Sequence, residues 1–496
     1  MSWFGKGLDK IIGEISPSAG MRRTQARNAM SLMMNYDGAS KGRRTYGWKA
    51  PSTDADAAAY GVRAPLRQLS REFLRNRPYA VRAQSVVTSN VVGTGVVPAV
   101  KHDNPEVQRG IADAVLGHLL SPWLDALGEL NLYAMQEVVM NTVFADGEVL
   151  ARRRLRTGRY AQGLRLGFQI ELLEVDHLDT TITSNGKNEV CEGIEYSPIG
   201  DVEAYHVFPR HPGNARLLGD RVRSERVSWA DIIHVRRFDR PGQLRGVPWL
   251  APVMLAMGEL SDYQEAQILK QKMAALMAAI VAYDKDSMPG DPADRLKGLS
   301  ELEPGAIIGV PDGAEVSFTQ PPKVDAYSEF MREGLGAIAM GIGITRESLT
   351  GDLSGVNFSS GRMGRMEMDR NVERWQQLLM IGQFCAGVER WVREAFPMTR
   401  IHPGEAFAMT WTAPRRPLID PNDEVDAMLK QVAGGLNSRQ SVQRTLGLDP
   451  DRVRRERAED RQQDETLQLD EPVAVDTPTA RVSRAEKQAK QVETGQ

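Results

Sequence analysis

Two short pairs of carboxylates are the first candidates for chemistry in this chain. Asp146 and Glu148 flank a glycine, and Asp176 and Asp179 follow further along. Carboxylates at such spacing can hold Mg²⁺ for the hydrolysis of a phosphate ester. Both pairs also fit turns between predicted elements, and the sequence favours turns over a nuclease site.

Other patterns that could support catalysis are incomplete. Of the seven histidines, only His206 and His211 lie within five residues of each other. The first falls in a predicted strand and the second in a loop rich in Pro and Gly, so we expect no shared metal. No Gly-x4-Gly-Lys-Ser/Thr phosphate loop occurs, and Ser354 is not in the Gly-x-Ser-x-Gly register of a nucleophile elbow. We therefore predict no catalytic residue, no metal and no cofactor.

A basic cluster lies between Glu148 and Glu171, where no acidic residue interrupts it. Its members are Arg152, Arg153, Arg154, Arg156, Arg159 and Arg165. Only Tyr160 and Phe168 are interleaved, and a platform that stacks nucleic-acid bases needs more aromatic residues. A solvated or intersubunit face is the favoured interpretation, and a face that contacts DNA is the alternative.

Composition narrows the class of protein. With 496 residues the chain exceeds the usual size of a single core, so we expect about two to four lobes. Two cysteines, Cys191 and Cys385, suit a reducing cytoplasm. No apolar run of about eighteen residues could span a membrane, and the N-terminus has no apolar core of a signal peptide. A net charge of −3 argues against a protein that grips nucleic acid through overall basicity.

Hydrophobic periodicity predicts a mixed α+β fold. Residues 60–145 show helical periodicity, with a boundary at Pro78 and a turn at Gly93-Thr94-Gly95. Residues 148–318 change to a period of two, which is typical of strands. We predict strands at 149–156, 164–172, 193–196, 202–208 and 232–238, and a Pro-Asp-Gly turn within 310–314.

The sequence also predicts long helices, an N-terminal arm and a charged C-terminal tail. Residues Pro248 to about Ala282 and Ser360 to about Phe396 predict long helices, with a shorter one over about 325–340. Apolar residues at helical spacing between Phe4 and Ile15 predict an arm that docks on a neighbouring subunit, or alternatively a membrane-surface helix. The highly charged residues 460–496 predict a disordered or partner-ordered tail.

A Gly/Ser-rich segment lies between the shorter helix and the second long helix. Glycines allow the backbone positive φ, so we predict a loop that can shift. The candidate loop residues are Gly351, Asp352, Ser354, Gly355, Asn357, Ser359, Ser360 and Gly361. Three arginines flank the segment and could contact phosphates or form intersubunit salt bridges: Arg346, Arg362 and Arg365.

Six short motifs occur in an order that resembles the lambda family of phage portal proteins, over roughly residues 20–430. They are Arg75-Asn76-Arg77-Pro78 with Asn90-Val91-Val92-Gly93-Thr94-Gly95; Asp146-Gly147-Glu148; Arg240-Pro241-Gly242-Gln243; Arg245-Gly246-Val247-Pro248; Leu302-Glu303-Pro304-Gly305; and Gly351-Asp352 with Asn357-Phe358-Ser359-Ser360. One departure is Phe358, where the resemblance leads us to expect Tyr.

The resemblance implies a portal-type subunit with long stem and wing helices, a mixed α/β wing, a small clip and a helical crown with a disordered tail. We assign an N-terminal arm (1–58), wing (59–248), stem helix (249–282), clip (283–324), second stem helix (325–342), tunnel loop (343–361), long wing helix (362–400), crown (401–459) and tail (460–496).

The resemblance also implies a function and partners. About twelve copies would form a ring at one capsid vertex, the channel for packaging and ejection of double-stranded DNA. Expected partners are the large terminase subunit, a head completion or adaptor protein, and the major capsid or scaffolding protein, with no membrane. The protein would act in the virion after assembly in the host cytoplasm and would not be an enzyme. A DNA-processing enzyme, such as a nuclease or terminase subunit, is the alternative, and a plain capsid adaptor is a third.

Overall fold

A computed structural model describes residues 52–214, 223–276, 280–283, 314–317, 327–399, 401–417 and 419–467, together with residues 17, 18, 21 and 47. The expected N-terminal arm, the Pro-Asp-Gly turn at 311–313, most of the clip segment and the chain beyond 467 lie outside the described residues. By its internal contacts the chain divides into Met1–Ala58 and Ala59–Gln496, and the second unit holds the hydrophobic core.

The described α-helices number thirteen in chain order. They are α1 Ala55–Ala59, α2 Arg63–Asn76, α3 Pro78–Val91, α4 Pro105–Leu119, α5 Leu132–Asp146, α6 Met254–Leu276, α7 Tyr327–Ile342, α8 Arg346–Thr350, α9 Phe358–Trp375, α10 Ala386–Ala395, α11 Pro421–Ala433, α12 Arg439–Thr445 and α13 Pro450–Leu467. A π-helical segment, Gln376–Cys385, joins α9 to α10. Among these described helices, none is both long and apolar enough to cross a membrane.

The described strands form four antiparallel sheets. They are β1 Val97–Lys101, β2 Glu148–Leu155, β3 Phe168–Leu173, β4 Ser184–Asn185, β5 Asn188–Cys191, β6 Ile194–Tyr196, β7 Val202–Val207, β8 Glu225–Ser228, β9 Ile232–Arg236, β10 Ile280–Tyr283, β11 Ala314–Ser317 and β12 Ala408–Thr412. The sheet orders are β3-β2-β9, β4-β5-β6-β7-β8, β1-β12 and β10-β11. The predicted mixed α+β class is confirmed.

Local sequence signals are confirmed in the first helices. Arg77 is extended and Pro78 begins α3, because the ring of proline disfavours a helical residue before it. Gly93 and Gly95 adopt positive φ angles of 50° and 116°, so the Gly-x-Gly motif is a turn. The strand predicted from Leu164 is shorter than expected and begins at Phe168, since Gly158–Ala161 forms a 3₁₀ turn first.

Two further predictions were wrong at their boundaries. The helix predicted to reach Ala282 ends at Leu276, and Ile280–Tyr283 is a strand paired with Ala314–Ser317. The β-branched Ile280 and Val281 favour extended backbone, and a distant partner strand supplies the hydrogen bonds. The tail predicted from residue 460 begins with ordered helix, because α13 continues to Leu467 through Arg, Gln and Glu, which are good helix formers.

The second long helix packs one apolar face into the core, as predicted. The buried residues on that face are Met368, Val372, Trp375, Leu379, Val388 and Val392. Within the π-helical segment, the Gln383 side chain forms two reciprocal 2.9 Å hydrogen bonds with the backbone N–H and carbonyl of Arg236. The long helix is therefore hydrogen-bonded to β9 at the edge of the β3-β2-β9 sheet.

Candidate functional site

The Asp146-Gly147-Glu148 and Arg245-Gly246 motifs meet in the interior. Glu148 is fully buried, and its carboxylate accepts hydrogen bonds from Arg245 Nε at 2.9 and 3.1 Å and from the Gly246 N–H at 2.8 Å. Burial opposes the charge on Glu148, but Arg245 and His234 outweigh it and lower the pKa of the carboxyl below its usual range. Glu148 is therefore half of a buried ion pair.

His234 completes this network in its neutral form. Its Nε2 lies 2.8 Å from the Glu148 carboxylate, and its Nδ1 lies 3.0 Å from a guanidinium nitrogen of Arg236. Since a guanidinium can only donate, Nδ1 accepts and Nε2 carries the proton. Burial lowers the pKa of His234 to about 4, which agrees with this tautomer.

Two glycines let the motifs approach at backbone distance. A Cβ on Gly147 would lie 2.3 Å from the carbonyl carbon of Val247, and one on Gly246 would lie 2.3 Å from the Gly147 oxygen. Gln243 fixes the motif loop, because its side chain accepts from the N–H of Asp239 at 2.9 Å and donates to the Arg245 carbonyl at 2.9 Å. Glycine at 147 and 246 therefore lets the two chain segments cross at backbone contact distance.

The other carboxylates considered for Mg²⁺ also hold protein groups. Asp146 accepts from Arg71 Nε at 2.8 Å, and Asp176 accepts from Arg67 and Arg71 at 2.7 Å each. Asp179 accepts hydrogen bonds from the Thr181 and Ser224 hydroxyls at 2.6 Å each. Asp146 ends α5 and Glu148 begins β2, with Gly147 in the left-handed conformation between them, and Asp176 lies in a short 3₁₀ turn, Val175–His177.

The two neighbouring histidines have separate partners. His206 Nε2 lies 3.0 Å from Glu195, whereas His211 Nε2 lies 3.3 Å from Glu174. Glu174, Asp176 and His211 bring ligand-type atoms together, but the guanidinium of Arg71 already lies between the two carboxylates, 3.1 Å from Glu174. An arginine thus supplies the positive charge at that point.

All six arginines of the basic cluster at 152–165 have partners within the subunit. Arg152 pairs with Glu225 at 3.0 Å, Arg153 with Asp231 at 2.8 Å, and Arg154 with Glu171 at 3.3 Å. The remaining members donate to Gln169, the Tyr160 hydroxyl and the Asp113 carbonyl. This side-chain pairing disfavours the interpretation of the cluster as a face that contacts DNA.

The motif network also fixes the base of the Gly/Ser-rich segment. Trp249, directly after the Arg245–Pro248 motif, donates from Nε1 to the Ile342 carbonyl at 3.0 Å. Its ring stacks on Phe144 and meets Trp375 edge-on, with centroids 5.6 and 4.9 Å away. Asn371 Nδ2 donates to the Gly343 carbonyl at 3.1 Å. The end of α7 is therefore anchored to the core before the segment begins.

Helix caps divide the predicted loop into three parts. Thr345 caps α8, which ends at Gly351 with a φ of 74°. Asn357 and Ser360 form a capping box, with Ser360 N–H donating to Asn357 Oδ1 at 2.8 Å and Asn357 N–H to Ser360 Oγ at 3.1 Å. Ser359, Ser360 and Gly361 thus lie in the first turn of α9, which corrects their prediction as loop residues. Asparagine followed by serine at the third helical position stabilises a helix start.

The remaining loop, residues 351–356, makes only local hydrogen bonds. The Asp352 N–H donates to Thr350 Oγ1 at 3.1 Å, and the Ser354 N–H donates to Asp352 Oδ1 at 2.9 Å. The hydrogen bonds from Ser354 lower the pKa of the Asp352 carboxyl. Gly351 and Gly355 have φ angles of 74° and 86°, and a Cβ on either would meet nothing within 4 Å. Backbone conformation, not space, favours glycine there.

The three flanking arginines differ in their partners. Arg346 pairs with Glu347 at 2.8 Å, and Arg365 donates to the Pro417 carbonyl and lies 3.9 Å from Asp369. Arg362 is exposed and forms no side-chain hydrogen bond or ion pair with any residue that the structure describes. Of the three arginines, Arg362 alone therefore has no side-chain partner within the described part of the chain.

An open cleft lies beneath the loop, between α8 and α9. Its volume is about 560 Å³, and Arg332, Arg346, Arg365, Arg416 and Glu347 line it together with loop residues. The Arg416 side chain pairs with Asp369 and donates to Asn90 Oδ1 at 2.6 Å. The segment before the C-terminal helices is thereby tied to the end of α3 and to the middle of α9.

Comparisons with known proteins agree with this arrangement of motifs. Residues 41–376 match the family described as phage portal protein, lambda family. A probable portal protein of Halomonas phage phiHAP-1 is 26% identical over 468 residues, covering 88% of each chain.

Two solved structures match this chain over most of its length. The neck of a native gene transfer agent particle, computed with C12 symmetry, shares 13% identity at a TM-score of 0.46, over 77% of this chain and 94% of that chain. An HK97 family phage portal protein from Corynebacterium diphtheriae shares 11% identity at a TM-score of 0.34, over 72% and 96%. Since the family match spans most of the sequence, this chain belongs to the lambda family of phage portal proteins.

Proposed function

We propose that this portal protein forms a closed ring of about twelve subunits at one capsid vertex. Double-stranded DNA passes through the ring during packaging and ejection, and residues 351–356 of each subunit face the channel. Family membership supports a portal role and a place in the virion. Ring size, channel and loop orientation are the finer parts of the proposal.

The observation that carries the proposal is a loop held firmly at both ends and unattached between them. Trp249 and Asn371 fix the entry to the segment, and the Asn357–Ser360 capping box fixes its exit. Between these points the hydrogen bonds stay within the loop and α8. Such a loop can yield to moving DNA without displacing the helices that support it.

The surface around the loop supports contact with a second copy. Four large apolar side chains near the loop are exposed on the single subunit: Leu353, Phe358, Met363 and Met366. An apolar patch of this kind marks a protein interaction site more often than a surface left in water. In a ring, each such face meets a different, complementary face of the next subunit.

The charge of the ring suits transport better than tight binding. Duplex DNA carries one charge per ~1.7 Å of its axis, and many free Lys or Arg contacts would hold it in place. Twelve chains with a net charge of −3 carry about −36, so the wall repels DNA at long range. Arg362, which is unpaired within the described part of the subunit, is the candidate for a weak phosphate contact.

Partner binding belongs to the same proposal. The segment 283–324 is the docking site for the large terminase subunit and the head completion or adaptor protein, and the wing meets the major capsid or scaffolding protein. Assembly takes place in the host cytoplasm. The pairing of Asp146 and Glu148 with arginines supports a structural role without nuclease or ATPase activity.

The first experiment measures the mass of the assembled protein. Mass photometry of the purified full-length chain should show a particle of about 660 kDa, because each of twelve chains weighs 54.9 kDa. Only monomers and dimers under assembly conditions would contradict the ring. Mg²⁺-dependent DNA cleavage that disappears in Asp146→Asn or Glu148→Gln would instead support the nuclease alternative.

A further inference from the structure

The helical pair near the C-terminus contains an open groove with an unusual set of side chains. Helices α12 and α13 enclose about 690 Å³. Four of its ten lining residues are arginines, none is acidic, and Ser438, Gln440 and Gln443 add neutral polar groups. The basic members are Arg439, Arg454, Arg457 and Arg461.

This basic surface results from segregation of charge within one helix. The sequence of α13 contains five arginines and six acidic residues, so its net charge is −1. Its acids nevertheless lie outside the groove lining, which holds Arg454, Arg457 and Arg461. The average charge of the helix therefore conceals a positive face.

The groove arginines are also available for a ligand. Arg454 lies 3.4 Å from Asp451, but the guanidinium groups of Arg439, Arg457 and Arg461 have no ion-pair or hydrogen-bond partner among the described residues. On the opposite side of the helix Arg452 pairs with Glu456 and Arg455 donates to the Asp451 carbonyl. Arg452 and Arg455, outside the groove, have local partners, whereas three of the four groove arginines have none among the described residues.

We propose that the α12–α13 groove binds the phosphate backbone of nucleic acid. Arg454 and Arg461 are seven residues apart, which spans about 10 Å along a helix, or roughly three nucleotides at ~3.4 Å per step. Guanidinium groups and glutamine amides both donate to phosphate oxygens. The groove belongs to each subunit and does not depend on the channel or on the ring.

An acidic peptide is the competing ligand, and the lining disfavours it. The nearest acidic stretch of this chain, residues 464–476, alternates acids with Leu469, Val473 and Val475. A groove that received it would offer apolar surface to those side chains. The lining supplies only Pro450, Val453 and Ala458, so charge and neutral donors dominate.

Fluorescence anisotropy of the full-length protein with a labelled 20-base-pair duplex tests the proposal across a range of salt concentrations. The variant R457Q/R461Q should bind the duplex about tenfold more weakly at low salt, and its slope of log K against log salt should decrease by about 1.8. The matched control, R452Q/R455Q, removes the same charge from the same helix outside the groove. Its slope should stay that of the wild type.

Equal losses in both double variants, or no duplex binding by the wild-type protein, would overturn the proposal. A labelled peptide of residues 464–476 provides the second arm. If R457Q/R461Q lost peptide binding but kept duplex binding, the groove would be a peptide site and the proposal would fail. Mass photometry of each variant reports the ring separately, so failure of the groove and failure of the ring are distinguishable.

Discussion

Two arginine-rich regions of this subunit differ in the partners that the fold gives to their side chains. The wing cluster, residues 152–165, is strongly basic in sequence, yet acids brought from Glu225, Asp231 and Glu394 pair with its members. Helix α13 is nearly neutral in sequence, yet the groove that it forms with α12 is lined by four arginines and by no acidic residue, and of these arginines Arg454 alone has an acidic partner among the described residues. The density of charge along a chain therefore does not predict the local field, because the field depends on which side chains the tertiary structure brings together.

The same distinction separates structural arginines from functional candidates elsewhere in the molecule. Arg245 is buried against Glu148, whereas Arg362 is exposed and unpaired within the described part of the chain. Substitutions at the first kind of position should change the stability of the fold. Substitutions at the second kind should change interaction with DNA and leave stability almost unaltered.

The largest effect is expected from Arg245→Leu. This change leaves the buried Glu148 carboxylate without its cation and should lower the free energy of unfolding by about 3–5 kcal/mol. Urea denaturation followed by circular dichroism measures it. The double variant Arg245→Leu/Glu148→Gln removes both buried charges and should recover part of the lost unfolding free energy. A loss below about 1 kcal/mol in the single variant would show that Glu148 is not held as an ion pair.

Deletion of Leu353 and Ser354 tests the loop at residues 351–356. The hydrogen bonds of this loop are all local within the described part of the chain. The deletion keeps Gly351 and the Asn357 cap, so rings should still form while most packaged DNA is lost. Ser354→Ala is the matched control, because it keeps the loop length and the N–H that bonds Asp352. Nuclease-protected DNA and mass photometry measure the two outcomes. Normal DNA packaging by the deletion variant would show that the segment only connects two helices.

Arg153→Gln is the corresponding test in the wing cluster. Arg153 pairs with Asp231 and Glu394 and lies over the Trp391 ring, 5.7 Å from its centroid. Because these contacts are partly exposed, we expect a loss of about 1 kcal/mol in unfolding free energy. Duplex binding should stay unchanged at every salt concentration. A smaller slope of log K against log salt in this variant would show that the cluster contacts DNA. It would also weaken the contrast with α13.

Much of the fold follows from local sequence signals. Pro78 and the Gly93–Gly95 turn are visible in the sequence and are confirmed. The strand at Ile280–Tyr283 was missed because its partner lies more than thirty residues away, at Ala314–Ser317. Pairing between distant segments determines strand ends, and helix propensity alone cannot show it.

The candidate site was predictable to a smaller extent. The Asn357–Ser360 capping box is a local signal, but the abundance of serine and glycine concealed it, and the start of α9 was assigned to the loop. The hydrogen bond from Arg365 to the Pro417 carbonyl depends on a segment 52 residues away. A local signal does separate the two arginines, since Asp369 lies four residues after Arg365 on the same helix, whereas Met366 occupies that position relative to Arg362.

The smallest effect is expected from Arg362→Glu, and it is the most direct test of the channel. An exposed arginine without a partner in the described subunit contributes little to folding, so unfolding free energy should change by less than about 0.5 kcal/mol. Packaging should fall only a few-fold at low salt, and the difference should shrink near 1 M salt, where the screening length is about 3 Å. Arg370→Glu is the matched control, because it reverses an equally exposed charge on α9 about 12 Å further from the loop. If Arg362→Glu and Arg370→Glu reduced packaging equally, the effect would come from net charge. The proposed contact between Arg362 and DNA would then be wrong.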